Sequence, residues 1–249
     1  KAGYLVPYIY VPHFTYLTPE EMTRYEEETR KIAKAYYRSK NDDEKDEIFT
    51  LLCIKRQKII RNAQNKLAVF EKILDSLKEV KYCLVYCSPH QIHAVQDILN
   101  HKNIIQHKFT EREGIRPSSR FAGLSEREFL IKQFSEGTYN ALVSMRCLDE
   151  GVDVPPARLA IMLDNSGNPR EYIQRRGRVL RKFPGKQQAV IHDIIVEPIL
   201  RTTIPQELRE LERKIIAKEL ARYRDFASSA QNSSECLEMM ANLEAMYGI

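Results

Sequence analysis

A chain of 249 residues, 43% hydrophobic and 29% charged with nine Gly and eleven Pro, is long enough to bury a large core and too apolar for intrinsic disorder. Its net charge of +5, from 39 Lys+Arg against 34 Asp+Glu, is too small to argue by itself for a polyanionic partner. Five cysteines, odd in number and without a C-x-x-C pair, argue against a disulfide framework or a structural zinc site, and no apolar run approaches the roughly 18 residues that span a bilayer.

No signal peptide is recognisable, so a reducing, non-membrane compartment is expected. The first residue is Lys1 rather than Met, and the chain reads as a fragment or a processed product. Residues 4–17, YLVPYIYVPHFTYL, are rich in Tyr, Val and Ile and carry Pro7 and Pro12. They predict an edge strand or irregular extended structure. Thr18-Pro19-Glu20-Glu21 predicts a helix start, with Thr18 as N-cap and Pro19 at the first helical position, running to about Arg38. The polar stretch Ser39–Asp46 interrupts it, and a second helical stretch follows from about Glu47 to Leu77, with a break near Arg61-Asn62.

From Tyr82 onward the periodicity changes. Short apolar runs at Tyr82–Tyr86, Ile104–Phe109, Ala141–Ser144, Arg158–Leu163 and Gln188–Ile195 predict strands. Helical patterns lie between them: one after Ser88-Pro89 to Asn100, one from Leu124-Ser125 to Gly137, and one from Asn168-Pro169 to Leu180. Glu111–Gly123 is polar and predicts a loop, and residues 205–226 and 233–247 are amphipathic and charged. Strands alternating with helices at this interval make βαβ units and a parallel sheet. Ligands of such sheets sit outside the strands' carboxyl ends, here Ser88, Arg146–Asp153 and Asp164–Asn168. Cys83 and Cys87 are expected as small buried hydrophobes.

Charge is distributed unevenly. Residues 170–186 hold Arg170, Arg175, Arg176, Arg178, Arg181, Lys182 and Lys186 against one acid, Glu171. Arg178 and Arg181, three residues apart, share a face or the turn beyond it, and Gly177 allows close backbone approach. Guanidinium groups so held suit the spread negative charge of a phosphoryl-transfer transition state. This segment, PREYIQRRGRVLR, resembles motif VI of superfamily 2 helicases, Q/H-R-x-G-R-x-x-R. Residues 142–155, LVSMRCLDEGVDVP, resemble motif V, and residues 84–90, LVYCSPH, resemble motif IV. The helix GLSEREFLIKQFSEG is similar to the one preceding motif V in repair-type and restriction-type members, with Arg127 and Lys132 expected to face water. The opening segment, YLVPYIYVPHFTYLTPEEMTRYEE, looks like the connector between the two motor domains of such proteins.

The resemblance covers about residues 82–196 and implies an α/β RecA-like domain, a parallel sheet flanked by helices. The expected division is a connector and helical extension at 1–63, the RecA-like helicase domain at 64–200, and a C-terminal helical extension at 201–249. It implies Arg178 and Arg181 as arginine fingers, with Gln174 in the network linking nucleotide and nucleic acid. Asp153 would contact the ATP ribose and Gly151 would lie near the γ-phosphate. Ser88 and Ser144 would contact DNA phosphates, with Met145 and Arg146 as alternative registers for Ser144 and a plain N-cap role open for Ser88. No G-x-x-x-x-G-K-[ST] occurs, since Gly185-Lys186 lacks the first glycine, and Asp149-Glu150 sits inside the motif V turn without a matching P-loop. ATP would therefore be shared with a preceding RecA-like domain that carries the P-loop and the Mg²⁺ ligands. DNA, preferably duplex, is the expected partner, in the cytoplasm and on the nucleoid in a prokaryote. A restriction-enzyme motor subunit, a non-catalytic nucleic-acid-binding module and an RNA helicase are the rival readings.

Overall fold

The computed structural model describes residues 5–38, 44–110, 112–144, 154, 156–164, 169–197, 213, 217 and 220–247. Strand β1 (Tyr8–Thr15) comes first. Helices α1 (Pro19–Arg38), α2 (Glu44–Arg61) and α3 (Asn65–Ser76) follow. Then come β2 (Cys83–Tyr86), α4 (Ile92–His101), β3 (Gln106–Phe109), α5 (Glu126–Ser135), β4 (Ala141–Ser144), β5 (Leu159–Met162), α6 (Pro169–Val179) and β6 (Ala189–Val196). Helical residues 220–228 (α7) and helix α8 (Ser233–Tyr247) complete the order.

Six strands form one parallel sheet in the order β1-β6-β5-β2-β4-β3. Residue alternation along each strand builds two cores on opposite faces. Leu84, Tyr86, Leu142, Ala160, Met162 and Ile191 face α5, α6, α7 and α8 through Phe134, Tyr172, Phe226 and Met240. Cys83, Val85, Val143, Ile161 and Leu163 face α3 and α4 through Phe70, Ile73, Val95 and Leu99. Cys83 and Cys87 are buried as expected. Burial, with the Asp164 charge nearby, pushes the Cys87 thiol up to about 12.

Local sequence signals explain several element ends. Glu21 N–H donates to Thr18 Oγ1 at 3.3 Å and Thr18 N–H to Glu21 Oε2 at 3.0 Å, a reciprocal cap that satisfies two orphan donors. The expected break near Arg61-Asn62 separates α2 from α3. Gly137, at φ +82°, ends α5 in a left-handed turn that costs a glycine little. Tyr82 lies just outside β2 at φ +52°, which shortens that strand by one residue relative to its apolar run. The expected loop after β3 includes one 3₁₀ turn, Ser119–Phe121.

β1 is an edge strand, where Pro12, lacking an N–H, is tolerated. It belongs to the sheet all the same: the strand of the expected connector region completes the domain beside β6. Tyr10 Oη donates to Asp193 Oδ2 at 2.9 Å, and Arg222 Nη2 lies 3.5 Å from the same oxygen, all three residues being buried. Tyr10 also packs against Tyr223 and Phe226 at 5.4 Å between ring centroids, and Asn232 bonds both the N–H and the C=O of Tyr10. These contacts bind the beginning and the end of the chain to one sheet edge. Asp193→Ala, which removes a buried carboxylate facing Arg222, is expected to cost about 3–5 kcal/mol. Tyr10→Phe should cost roughly 1–2 kcal/mol, both read from denaturant unfolding.

Candidate nucleotide and nucleic-acid sites

Helix α6 carries the arginine cluster. Its inner face is Tyr172, Arg175, Val179 and Leu180, all buried. Arg175 Nη1 donates to the Asp164 carbonyl at 2.8 Å, its guanidinium lies 5.1 Å from the centre of the Tyr86 ring, and Glu171 Oε2 is 4.0 Å away. A buried cation is tolerable when carbonyl, carboxylate and aromatic face surround it. Arg176 turns the other way. Its Nη1 donates to the Asp225 carbonyl at 2.8 Å and forms an ion pair with the Asp225 carboxylate at 3.0 Å, over the Phe226 ring, which ties α6 to α7. Two of the cluster's arginines thus have architectural duties.

The helix connects β5 to the parallel strand β6, so it must run back from the carboxyl to the amino edge of the sheet. At about 1.5 Å per residue, Arg178 lies roughly 14 Å from the helix start. Arg178 is 9% exposed. Arg181 lies past the helix end, exposed, in an antiparallel bridge with Leu5, and Val6 N–H donates to the Leu180 carbonyl at 2.8 Å. Leu5 precedes β1, so Arg181 sits toward the amino edge, where the chain enters the domain. The carboxyl-end rule therefore applies to Arg175 and Asp164 and not to Arg181, because the crossover helix carries Arg181 away from that edge.

Lys186 fixes the end of this helix. Its Nζ donates to the Val179 and Arg181 carbonyls at 2.6 and 2.7 Å, closing acceptors that a helix end leaves open. Burial, with the Arg158 charge added, lowers its pKa to about 8. Gly185, at φ +72°, makes the preceding turn. Gly185-Lys186, which lacks the spacing of a P-loop, is thus a helix cap in this fold. Beside it lies a groove of about 450 Å³ lined by Leu5, Val6, Pro7, Lys182, Phe183, Pro184, Lys186 and Gln187.

At the carboxyl edge, Asp164 is a hub. Arg61, from the end of α2, grips its carboxylate through Nε at 2.8 Å and through Nη2. Lys66 Nζ donates to the adjacent Leu163 carbonyl at 2.7 Å. Burial would raise the Asp164 pKa, but the Arg61 hydrogen bond and the charges of Arg61, Lys66 and Arg175 outweigh it and hold the carboxyl below 3.8. Asp164 was legible as a strand end; Arg61, 103 residues earlier, carried no signal for the pairing.

Ser88 and Ser144 lie at the same edge, joined by the bond from Cys87 N–H to the Ser144 carbonyl at 3.1 Å. Both are buried, at 2% and 0% exposure, and Ser88 Oγ bonds Gln91 Oε1 at 3.3 Å in the turn before α4. Gln174 is half-buried on α6. Gly151 and Asp153, together with Met145, Arg146, Asp149 and Glu150, lie outside the described residues. Arg127 departs from its expected solvent-facing pose: Nε and Nη2 bond the Glu113 and Thr110 carbonyls at 3.2 and 3.4 Å, because the loop it faces offers acceptors within its reach. Lys132 does face water, 3.9 Å from Glu136.

Residues 65–183 match the helicase conserved C-terminal domain, a stretch that holds β2 to β5 and the whole arginine helix. This region is similar to the C-terminal domains of helicases. The chain is 36% identical over 85 residues to the DNA 3'-5' translocase XPB2 of Sulfurisphaera tokodaii, covering 34% of this chain and 19% of that protein. It is 44% identical over 57 residues to the ATP-dependent DNA helicase MPH1 of Scheffersomyces stipitis, covering 23% and 5%. The matched parts thus span a fifth or less of these relatives. The Sulfolobus solfataricus SWI2/SNF2 ATPase core in complex with dsDNA has a similar fold, with a TM-score of 0.58 at 16% identity, over 95% of this chain and 49% of that one. The RecA-like helicase fold expected from the sequence is the observed one.

Within the matched region the Asp164 hub has a pH signature. A carboxyl whose folded pKa is depressed contributes stability above its ordinary pKa, and that contribution is lost as pH falls through the folded value. Acidification below about 3.8 should therefore cost the wild type more stability than Asp164→Asn, measured by denaturant unfolding across an acid pH series. Equal acid sensitivity would remove Asp164 from that role.

Proposed function

We propose that this chain is the second motor domain of an ATP-dependent superfamily 2 DNA helicase or translocase, and that it completes an ATP site begun by a preceding RecA-like domain. The observation that carries the reading is the Gln174–Arg181 segment inside the matched domain, with Arg181 exposed beside Leu5. A domain joined to the chain ahead of Leu5 approaches from that flank. Similarity to a DNA translocase and an ATP-dependent DNA helicase supports the activity. The fold it shares with about half of an ATPase core solved on dsDNA supports a two-domain motor acting on duplex DNA.

In this mechanism the preceding domain holds ATP and Mg²⁺ through its own P-loop and carboxylates. Arg181 meets the γ-phosphate as the two domains close, and Arg178 emerges from beneath it as the second finger. Their fixed guanidinium charge offsets the charge that spreads over the transferred phosphoryl group. Gln174, Gly151 and Asp153 complete the nucleotide contacts on this side. Lys186, by capping α6, holds the backbone that carries both fingers. DNA crosses the carboxyl edge marked by Ser88 and Ser144, bound through phosphates and hence without strong sequence preference. Closing on ATP and opening after hydrolysis move the two domains along the strand. The setting is cytoplasmic, on the nucleoid in a prokaryote.

In the full-length protein, Arg178→Ala and Arg181→Ala are each expected to lower DNA-stimulated ATP hydrolysis by about 10³-fold or more. Nucleotide affinity should stay within about twofold, since fingers act on the transition state. Steady-state turnover and titration with a fluorescent nucleotide separate the two effects, and unchanged turnover in either variant defeats the finger assignment. The purified 249-residue chain is expected to hydrolyse no ATP. Turnover that persists after repurification would show that it needs no neighbouring domain.

A further inference from the structure

Ser88 and Ser144 mark the carboxyl edge but present almost no surface, so a strand crossing there needs other cationic contacts. The loop after β3 supplies them. β3 pairs with β4 so that Phe109 lies opposite Ser144, and the loop that begins at Thr110 therefore starts beside the proposed DNA path. Arg112, Arg116 and Arg120 are all exposed on it, four residues apart. Ile115, between the first two, is 73% exposed.

Among the described residues, two acids, Glu113 of the loop and Glu126 at the start of α5, are turned toward the loop backbone. Glu113, 5% exposed, accepts from Thr110 N–H, and Glu126 Oε2 accepts from Gly114 N–H at 3.0 Å. Arg127 holds the loop from below through the Glu113 and Thr110 carbonyls. The far end is closed by Ser118 N–H to the Leu124 carbonyl and Gly123 N–H to the Ser118 carbonyl, each at 3.0 Å, and by packing of Phe121 on Phe129 at 5.4 Å. The Arg120 guanidinium lies over Phe121 at 5.5 Å. A loop tied down at both ends presents its cations with less ordering cost than a free one would, and arginine in particular binds phosphate oxygens in pairs.

We propose that the loop from Arg112 to Arg120 is a second nucleic-acid contact of this domain, in which Arg112, Arg116 and Arg120 bind successive phosphates of duplex DNA. Ile115 lies against the sugar face between them. The proposal rests on the reading of the chain as a DNA motor and extends it to residues outside the three recognised motifs. Each phosphate neutralised releases counterions and adds about 0.9 to the slope of log affinity against log salt, which gives the loop a measurable footprint.

The test is fluorescence anisotropy of the full-length protein on a short labelled duplex of mixed sequence, across a salt series. The Arg112→Ala/Arg116→Ala/Arg120→Ala variant should bind about tenfold more weakly or worse, with a salt slope smaller by about 2–3. The corresponding triple Lys variant should keep most of the slope, and thermal midpoints of all three proteins should agree. Arg116→Glu, a single exposed position, gives an independent check, with a severalfold loss expected. Wild-type affinity and slope in both the Ala and Glu variants would overturn the loop contact and leave the motor reading intact. A wild-type protein with no salt-dependent DNA binding would overturn both. Tighter, equally arginine-dependent binding of an RNA duplex would overturn the assignment to DNA.

Discussion

In a parallel sheet every crossover helix has to return from the carboxyl edge to the amino edge before the next strand can begin. For α6 this constraint divides one arginine-rich segment among different tasks. Arg175, past the middle of the helix, reaches back with its side chain to the carboxyl edge and is spent on Asp164 and Tyr86. Arg176 ties the helix to α7, and Arg181 arrives at the opposite flank beside Leu5. Arg181 and the proposed DNA path are thereby set toward different edges of one domain. The rigid body of α6 links them.

The junction around Asp164 joins three parts that are far apart in sequence. Arg61 brings the end of α2, Lys66 brings α3, and Arg175 brings α6 to the end of β5. Asp164 and its neighbour Leu163 thus connect the end of α2 and the start of α3 to Arg175 of the arginine helix. The partner junction, Tyr10–Asp193–Arg222, does the same for β1 and α7. Both centres are buried, where a paired charge is costly to disrupt.

Local patterns made much of this readable. The Thr18–Glu21 cap, the helix break at Arg61-Asn62, the glycine stop at Gly137 and the apolar runs of β2, β4, β5 and β6 all rest on interactions within a few residues. The order of three motif-like segments was enough to indicate the helicase domain. Less readable were the contacts that span the chain. Nothing near Arg127 told that loop carbonyls, not water, would receive it. Nothing near Lys186 told that its ammonium would close the helix end seven residues back.

The sequence by itself therefore determined the alternation of strands and helices, the parallel sheet that this alternation requires, and the concentration of arginine in one helix. Tertiary structure decided which arginines are exposed, which edge each one occupies, and that β1 belongs to the sheet. The reason is physical: propensity, capping and periodicity act over one or two turns, whereas burial and ion pairing depend on which distant segments arrive at the same place.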